Sequence, residues 1–438
     1  MTTETDLTTE TALPTEIGAP PEAEATTGDA AAPSPPVALY LHVPFCVSLC
    51  PYCDFVVYAG ASARGPRNRI SAFLGALENE VRLRSDAIAA RFGPPSTALR
   101  PPLTSVYLGG GTPSLLPADA IGGLLGIVAE QFGIAAGAEV TLEANPGRDE
   151  RGDMGALRRA GVTRVSFGAQ SFDPGELRRL GRRHGRGHID EAVGEARAAG
   201  IGSISLDLLY DVPGGSPRTW EASLSAALEL GPDHLSLYAL TLDDPDAEGL
   251  TGPSGDHLPT VAGARRWREA ARREQDDDLA AAQYTHAAGR LAAAGWHGYE
   301  ISSWARPGHE SRHNLAYWQR RPYEAVGPGA HAFDGAVRRW NAARLDAYVA
   351  ALAPASGAPR LPPGGEETLD AATVEAERAI LALRTDRGLP LSAATQPPLA
   401  GSFDWAMEAG LLEVSPEDRI VLTTRGRLLS NELFARLE

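Results

Sequence analysis

Leu39-Tyr-Leu-His-Val-Pro-Phe-Cys-Val-Ser-Leu-Cys-Pro-Tyr-Cys-Asp-Phe55 begins as an apolar run and breaks at Pro44 into a loop that carries every cysteine of the chain, Cys46, Cys50 and Cys53. An apolar run cut short by proline reads as a buried strand that ends in a loop. Three thiols packed into eight positions of a 438-residue chain are not a disulfide framework, and inert core thiols would be scattered.

The spacing C-x3-C-x2-C lets one short loop present three thiolates to an iron–sulfur cube. One iron is then left open to a small molecule with amino and carboxylate groups. Zinc is the alternative on residues alone; it wants a fourth closed ligand, for which His42 or Asp54 stands nearest.

Working outward, short β-branched or aromatic runs at 37–43, 104–109, 139–144, 163–169, 203–209 and 234–240 alternate with amphipathic stretches such as 69–92, 118–132, 187–199 and 216–229. That alternation predicts an α/β fold, a curved partial (β/α)6 barrel with right-handed crossovers. Functional groups belong at the C-terminal ends of such strands. The chemistry-bearing residues fall there: the cysteines after the first strand, Gly109-Gly-Gly-Thr-Pro-Ser114 after the second, Glu143 closing the third, Gln170 after the fourth and Asp207 near the end of the fifth. Taken singly, each is an ordinary strand-end polar group.

The cysteine spacing, with an aromatic before the last Cys, resembles the signature of the radical S-adenosylmethionine superfamily. Tyr40, His42, Pro44 and Phe45 around it are similar to the oxygen-independent coproporphyrinogen III oxidase family, and the resemblance extends over most of 37–438. It implies a [4Fe–4S] cluster on Cys46, Cys50 and Cys53. It also implies S-adenosylmethionine contacts from Tyr40, Gly110, Gly111, Thr112, Glu143, Gln170, Arg182 and Asp207. Oxidases of the family carry a fourth cysteine where this chain has Phe55. That departure, with His313-Asn-Leu-Ala-Tyr-Trp318, resembles the heme chaperone (HemW) branch. The branch implies heme as a further cofactor, His313 as its iron ligand and His331 as second candidate. The implied function is a heme chaperone that passes heme to acceptor proteins. The alternative is an oxygen-independent coproporphyrinogen III oxidase, performing radical oxidative decarboxylation to protoporphyrinogen IX.

Composition narrows the field independently. All 40 basic residues are arginine, so a Walker-type phosphate loop, a Schiff-base lysine and a pyridoxal-phosphate anchor are excluded. A net charge of -16 argues against nucleic acid as a partner. Residues 1–36 are acidic, rich in Thr, Ala and Pro and without aromatics, and are expected to be a disordered tail. No leader or apolar run long enough for a span is visible, so a cytoplasmic protein without membrane association is expected. The remaining chain divides into the barrel at 37–255, an extension at 256–352 with the His-Asn-x-x-Tyr-Trp motif, a linker at 353–365, and a helix-rich, winged-helix-like domain at 366–438. The acidic balance favours a docking or lid role for the last of these over DNA binding.

Overall fold

A computed structural model describes residues 32–63 and 68–437. All but the end of the acidic segment expected to be disordered lies outside them. The first strand, β1 (Ala38–Val43), is followed in the cysteine loop by β2 (Phe45–Cys46) and β3 (Tyr58–Ala59). Then come β4 (Leu103–Gly110), β5 (Ile134–Ala144), β6 (Arg164–Gln170), β7 (Ser203–Tyr210) and β8 (His234–Ala239). β1 and β4 to β8 pair in parallel in chain order. Leu39, Leu41, Val106, Leu108, Val165 and Leu206 are wholly buried, as strands sandwiched in a parallel sheet require.

The crossovers carry α1 (Ile70–Phe92), α2 (Ala118–Phe132), α3 (Met154–Ala160), α4 (Pro174–Arg179), α5 (Arg186–Ala198) and α6 (Pro217–Leu230). Their apolar stripes, Phe73 and Leu77 on α1, Leu124 and Val128 on α2, Ile189 and Val193 on α5, close over the sheet in one core. The short α3 and α4 are too brief to show a helical period in sequence. Each is nucleated by an N-cap aspartate: Asp153 accepts from Ala156 N, and Asp173 from Gly175 N and Glu176 N.

Beyond β8 the chain forms α7 (Ala262–Arg272), α8 (Asp277–Ala293), β9 (His297–Gly298), β10 (Ser303–Ala305) and α9 (Arg312–Trp318), then returns to the first strand as β11 (Tyr323–Val326). β11 runs parallel to β1, with Tyr40 opposite Ala325. β12 (His331–Phe333), β13 (Val337–Asn341), α10 (Leu345–Leu352) and β14 (Gly364–Thr368) follow, β12 to β14 pairing antiparallel. The result is a twelve-stranded sheet in the order β14-β13-β12-β11-β1-β4-β5-β6-β7-β8-β10-β9. It does not close on itself: β9 and β14 each pair on one side only. The stretch expected as a linker ends inside β14.

The last segment folds as α11 (Ala371–Leu383), β15 (Leu389–Pro390), α12 (Phe403–Glu408), β16 (Leu412–Val414), β17 (Arg419–Leu422), α13 (Thr424–Leu428) and α14 (Ser430–Phe434). Its antiparallel sheet, β15-β17-β16, packs with Leu383, Leu399 and Leu433 in a separate apolar core. Among the described residues no helix is long and apolar enough to cross a membrane.

Candidate cluster, nucleotide and porphyrin site

The cysteine loop springs from the C-terminal end of β1 and is pinned by the parallel pairing of β2 with β3, Cys46 opposite Ala59. Cys46 Sγ lies 3.3 Å from Thr112 Oγ1, and Cys50 Sγ accepts from Arg182 Nη1 at 3.5 Å. Arg268 of α7, almost wholly buried, donates to the carbonyls of Pro51 at 3.1 Å and Cys53 at 2.8 Å. It holds the loop's shape from outside, and nothing in its local sequence marks it. The three thiols are free and half-buried, and burial pushes the Cys46 thiol up to about 12.

Zinc would need a fourth ligand, and His42 is not available for it. Its Nδ1 is bonded to the Tyr40 hydroxyl at 3.1 Å and its Nε2 to the Val56 carbonyl at 2.8 Å. Among the described residues no three His, Cys, Asp or Glu side chains converge on one ion. A cube asks for no such convergence, since each sulfur takes a different corner; the soft donor set and its spacing fit it.

The glycine run after β4 abuts the same loop. Gly111 N donates to Val43 O at 2.9 Å and Thr112 N to Phe45 O at 2.7 Å. Gly110 has φ +103°, and a Cβ there would stand 2.3 Å from the His42 ring. Gly111 is demanded by the close approach of two backbones, and Gly110 by its positive φ and the His42 ring against it. Gly110 N also donates to Glu143 Oε2 at 2.9 Å, and the Tyr107 hydroxyl to Oε1 at 2.8 Å. Burial pushes this carboxyl up to about 7, against the pull of those two donors.

Asn145, two residues on, was not singled out by sequence, yet it ties the site together. Its Nδ2 donates to Thr112 Oγ1 at 3.2 Å, while its Oδ1 accepts from Arg182. Arg182 donates as well to Gly168 O at 2.7 Å. Gln170 ends β6 at φ +64°, after a slip in the pairing with β7; a non-glycine residue held there marks a locally over-determined backbone. Asp207 accepts from Ser166 at 3.0 and 3.2 Å, and burial raises its carboxyl. Cys46, Cys50, Thr112 and Arg182 thus form one bonded set through Asn145. Glu143, with Gly110 and Tyr107, forms a second, and Asp207 acts electrostatically on Glu143. Tyr40 lies on β1 with its ring centroid 6.0 Å from that of Tyr107.

His313 is placed differently from a ligand-facing group. It is 1% exposed, with Nδ1 bonded to Ser105 Oγ at 3.0 Å and Nε2 to the Tyr317 hydroxyl at 2.7 Å. Both nitrogens are occupied, and burial lowers its pKa to about 3. α9 packs this face against β4, which is why a motif histidine becomes an internal strut.

His331 instead lines a cavity of about 310 Å³ with Tyr40, Phe55, Tyr317, Tyr323 and His257. Phe55 is 63% exposed. The turn that leads from β11 into His331 at the start of β12 is held by Glu80 of α1, itself wholly buried. Glu80 accepts from Gly327 N at 2.9 Å, Tyr348 Oη at 2.7 Å and Asn341 Nδ2 at 2.8 Å.

An open sheet whose central strands run parallel, with three clustered thiols at the end of its first strand, defines a class, and residues 40–227 match the model of the Radical SAM superfamily. The solved structure of coproporphyrinogen III oxidase (HemN) from Escherichia coli superposes with a TM-score of 0.71 at 24% identity, over 93% of this chain and 91% of that one. At that identity the likeness speaks for the fold. The heme chaperone HemW of Mycobacterium tuberculosis (strain ATCC 25618 / H37Rv) is 38% identical over 412 residues, 94% of this chain and 97% of the relative. HemW of Escherichia coli (strain K12) is 36% identical over 68% of this chain and 70% of its own length. The chain belongs to the HemW family of the radical SAM superfamily.

Proposed function

We propose that the protein is a heme chaperone that holds a [4Fe–4S] cluster on Cys46, Cys50 and Cys53, binds S-adenosylmethionine beside it, and carries heme to acceptor proteins. The observation that carries the reading is the continuity of two sites. Phe55 and Val56, two and three positions after the last cysteine, line the aromatic, histidine-bearing cavity, so the cluster loop is also a wall of the compartment a porphyrin would enter. Phe55 stands where the family's oxidases have a cysteine, and its exposed ring offers an apolar face instead. The relatives named as heme chaperones support the same reading along nearly the whole chain.

When bound, the reduced cluster supplies one-electron chemistry at the sulfonium of S-adenosylmethionine. The protein's part is placement. Gly110 and Gly111 keep the amino end of the S-adenosylmethionine site at backbone height. Thr112, Gln170 and Arg182 border the amino-acid end, Arg182 suiting a carboxylate. Glu143 and Asp207 offer acceptors to hydroxyls or an ammonium, and Tyr40 forms the wall between nucleotide site and cavity.

The test is to reconstitute the protein anaerobically and titrate it with heme, following the Soret band. Saturable binding of one heme per chain is expected, and Cys46→Ala, Cys50→Ala and Cys53→Ala should each abolish the brown cluster chromophore. Absence of specific binding, together with turnover of coproporphyrinogen III in the presence of S-adenosylmethionine and a reductant, would replace this reading with the oxidase one.

A further inference from the structure

We infer that His257 is the iron ligand for the carried heme, presenting Nε2 into the cavity beside the cluster loop, with Asp256 fixing its ring and His331 bracing Asp256 from the other side. The inference rests on the proposal that the chain carries heme, and it moves the ligand from the motif histidine to a pair far apart in sequence.

The geometry is that of a carboxylate shared by two imidazoles. Asp256 Oδ1 bonds His257 Nδ1 at 3.0 Å, and Oδ2 bonds His331 Nε2 at 2.7 Å. A histidine that ligates a metal usually donates its other ring N–H to a carboxylate, which sets the tautomer and makes the free nitrogen more basic. Among the described residues, no hydrogen bond engages Nε2 of His257 or Nδ1 of His331. The two are not equivalent. Nε2 projects from the far edge of the ring, whereas Nδ1 is flanked by Cβ and the main chain, which a flat macrocycle cannot straddle. The His331 ring is also stacked on Trp340, 6.0 Å between centroids at 23°. His331 is therefore the brace and His257 the ligand.

Exposure agrees. The His257 and His331 side chains are 28% and 48% exposed, and that of Asp256 is 13%, so both imidazoles are open to an incoming ligand, as His313 is not. The walls suit a porphyrin: Tyr40, Tyr317, Tyr323 and Phe55 provide aromatic faces and edges. A volume of about 310 Å³ is at the low end of the about 300–1,000 Å³ usual for sites that enclose a small ligand. A macrocycle seated here keeps one edge outside, open to the protein that takes it over. The competing reading is a surface ion pair with no ligand.

The experiment is a hemin titration of the full-length, cluster-reconstituted protein and its His257→Ala variant, with retained cluster absorbance as the check on folding. For the variant we expect a shifted Soret band and at least tenfold weaker binding, and recovery of the wild-type spectrum on adding imidazole to the buffer. Asp256→Asn should keep heme but lower the iron–histidine stretching frequency in the ferrous resonance Raman spectrum. An unchanged Soret position and affinity in His257→Ala overturns the inference while leaving the carrier function standing. Failure of the wild-type protein to bind hemin overturns the carrier function itself, and the ligand assignment with it.

Discussion

An alanine methyl at position 111 would lie 2.7–2.8 Å from the Phe45 carbonyl oxygen, the Phe45 amide nitrogen and the Val43 carbonyl oxygen. None of these can retreat without moving the start of the cysteine loop. Gly111→Ala should therefore keep the fold but lose most of the reconstituted cluster, read as iron and sulfide per chain; full incorporation would show the loop more pliant than its packing indicates. Glu143 makes a second prediction at this scale. With its pKa near 7, it is mostly protonated at pH 6 and ionised at pH 8, and only the ionised form accepts freely from ammonium and hydroxyls. Affinity for S-adenosylmethionine should rise with pH across that window, by up to about tenfold per unit below the pKa, in calorimetric titrations, and Glu143→Gln should flatten the profile.

Among the elements, α1 and the loop after β11 meet at Glu80. Replacing it by leucine leaves Gly327 N and Tyr348 Oη without their acceptor, takes one of two acceptors from Asn341 Nδ2, and strips the Arg84 guanidinium of its carboxylate. The cost should be at least about 3 kcal/mol, measured as a lower urea midpoint, with faster hydrogen exchange in 327–331. A loss under about 1 kcal/mol would mean that water replaces the carboxylate at little expense. This junction also shows what can be read from sequence. Strands β1 and β4 to β8 were legible because buried parallel strands are continuous apolar runs, and the crossover helices because they keep a helical period. The pairing of β11 with β1 was not, since nothing in Tyr323–Val326 names a partner nearly three hundred positions away. In the candidate site, the cysteines stand out by spacing. Asn145 and Arg268 do not, because a lone amide or a helix-borne arginine acquires its task only from what folds against it. His313 drew attention through its motif; its burial is a tertiary fact.

For the molecule as a whole, acid is the natural probe of the interior. Burial lowers His313 to about 3 and His184 to about 4. With folded pKa values below the unfolded value, these groups lend stability that is complete above about pH 6.5 and is lost as pH falls toward the folded values. Each contributes about 1.4 kcal/mol per pH unit within that window. Glu143, Asp207 and Glu300, raised by burial, act in the opposite sense, so the difference between wild type and His313→Gln is the informative quantity. The variant, which cannot take up that proton, should lose stability less steeply between pH 6.5 and 4 in denaturant titrations; parallel slopes would show that His313 becomes accessible before it protonates. The same whole-molecule view applies to the sheet that does not close. An arc of strands has two end strands, and the open side of an end strand is a template onto which another polypeptide can add. One end strand is only the dipeptide His297–Gly298, and the other bears Glu366 and Glu367 on a strand led by two glycines. One border is guarded by brevity and by the Arg427 guanidinium on the Gly298 carbonyl, the other by charge, Glu366 together with the Arg338–Glu367 ion pair, so stripping that charge would leave an end strand open to extension by a second chain.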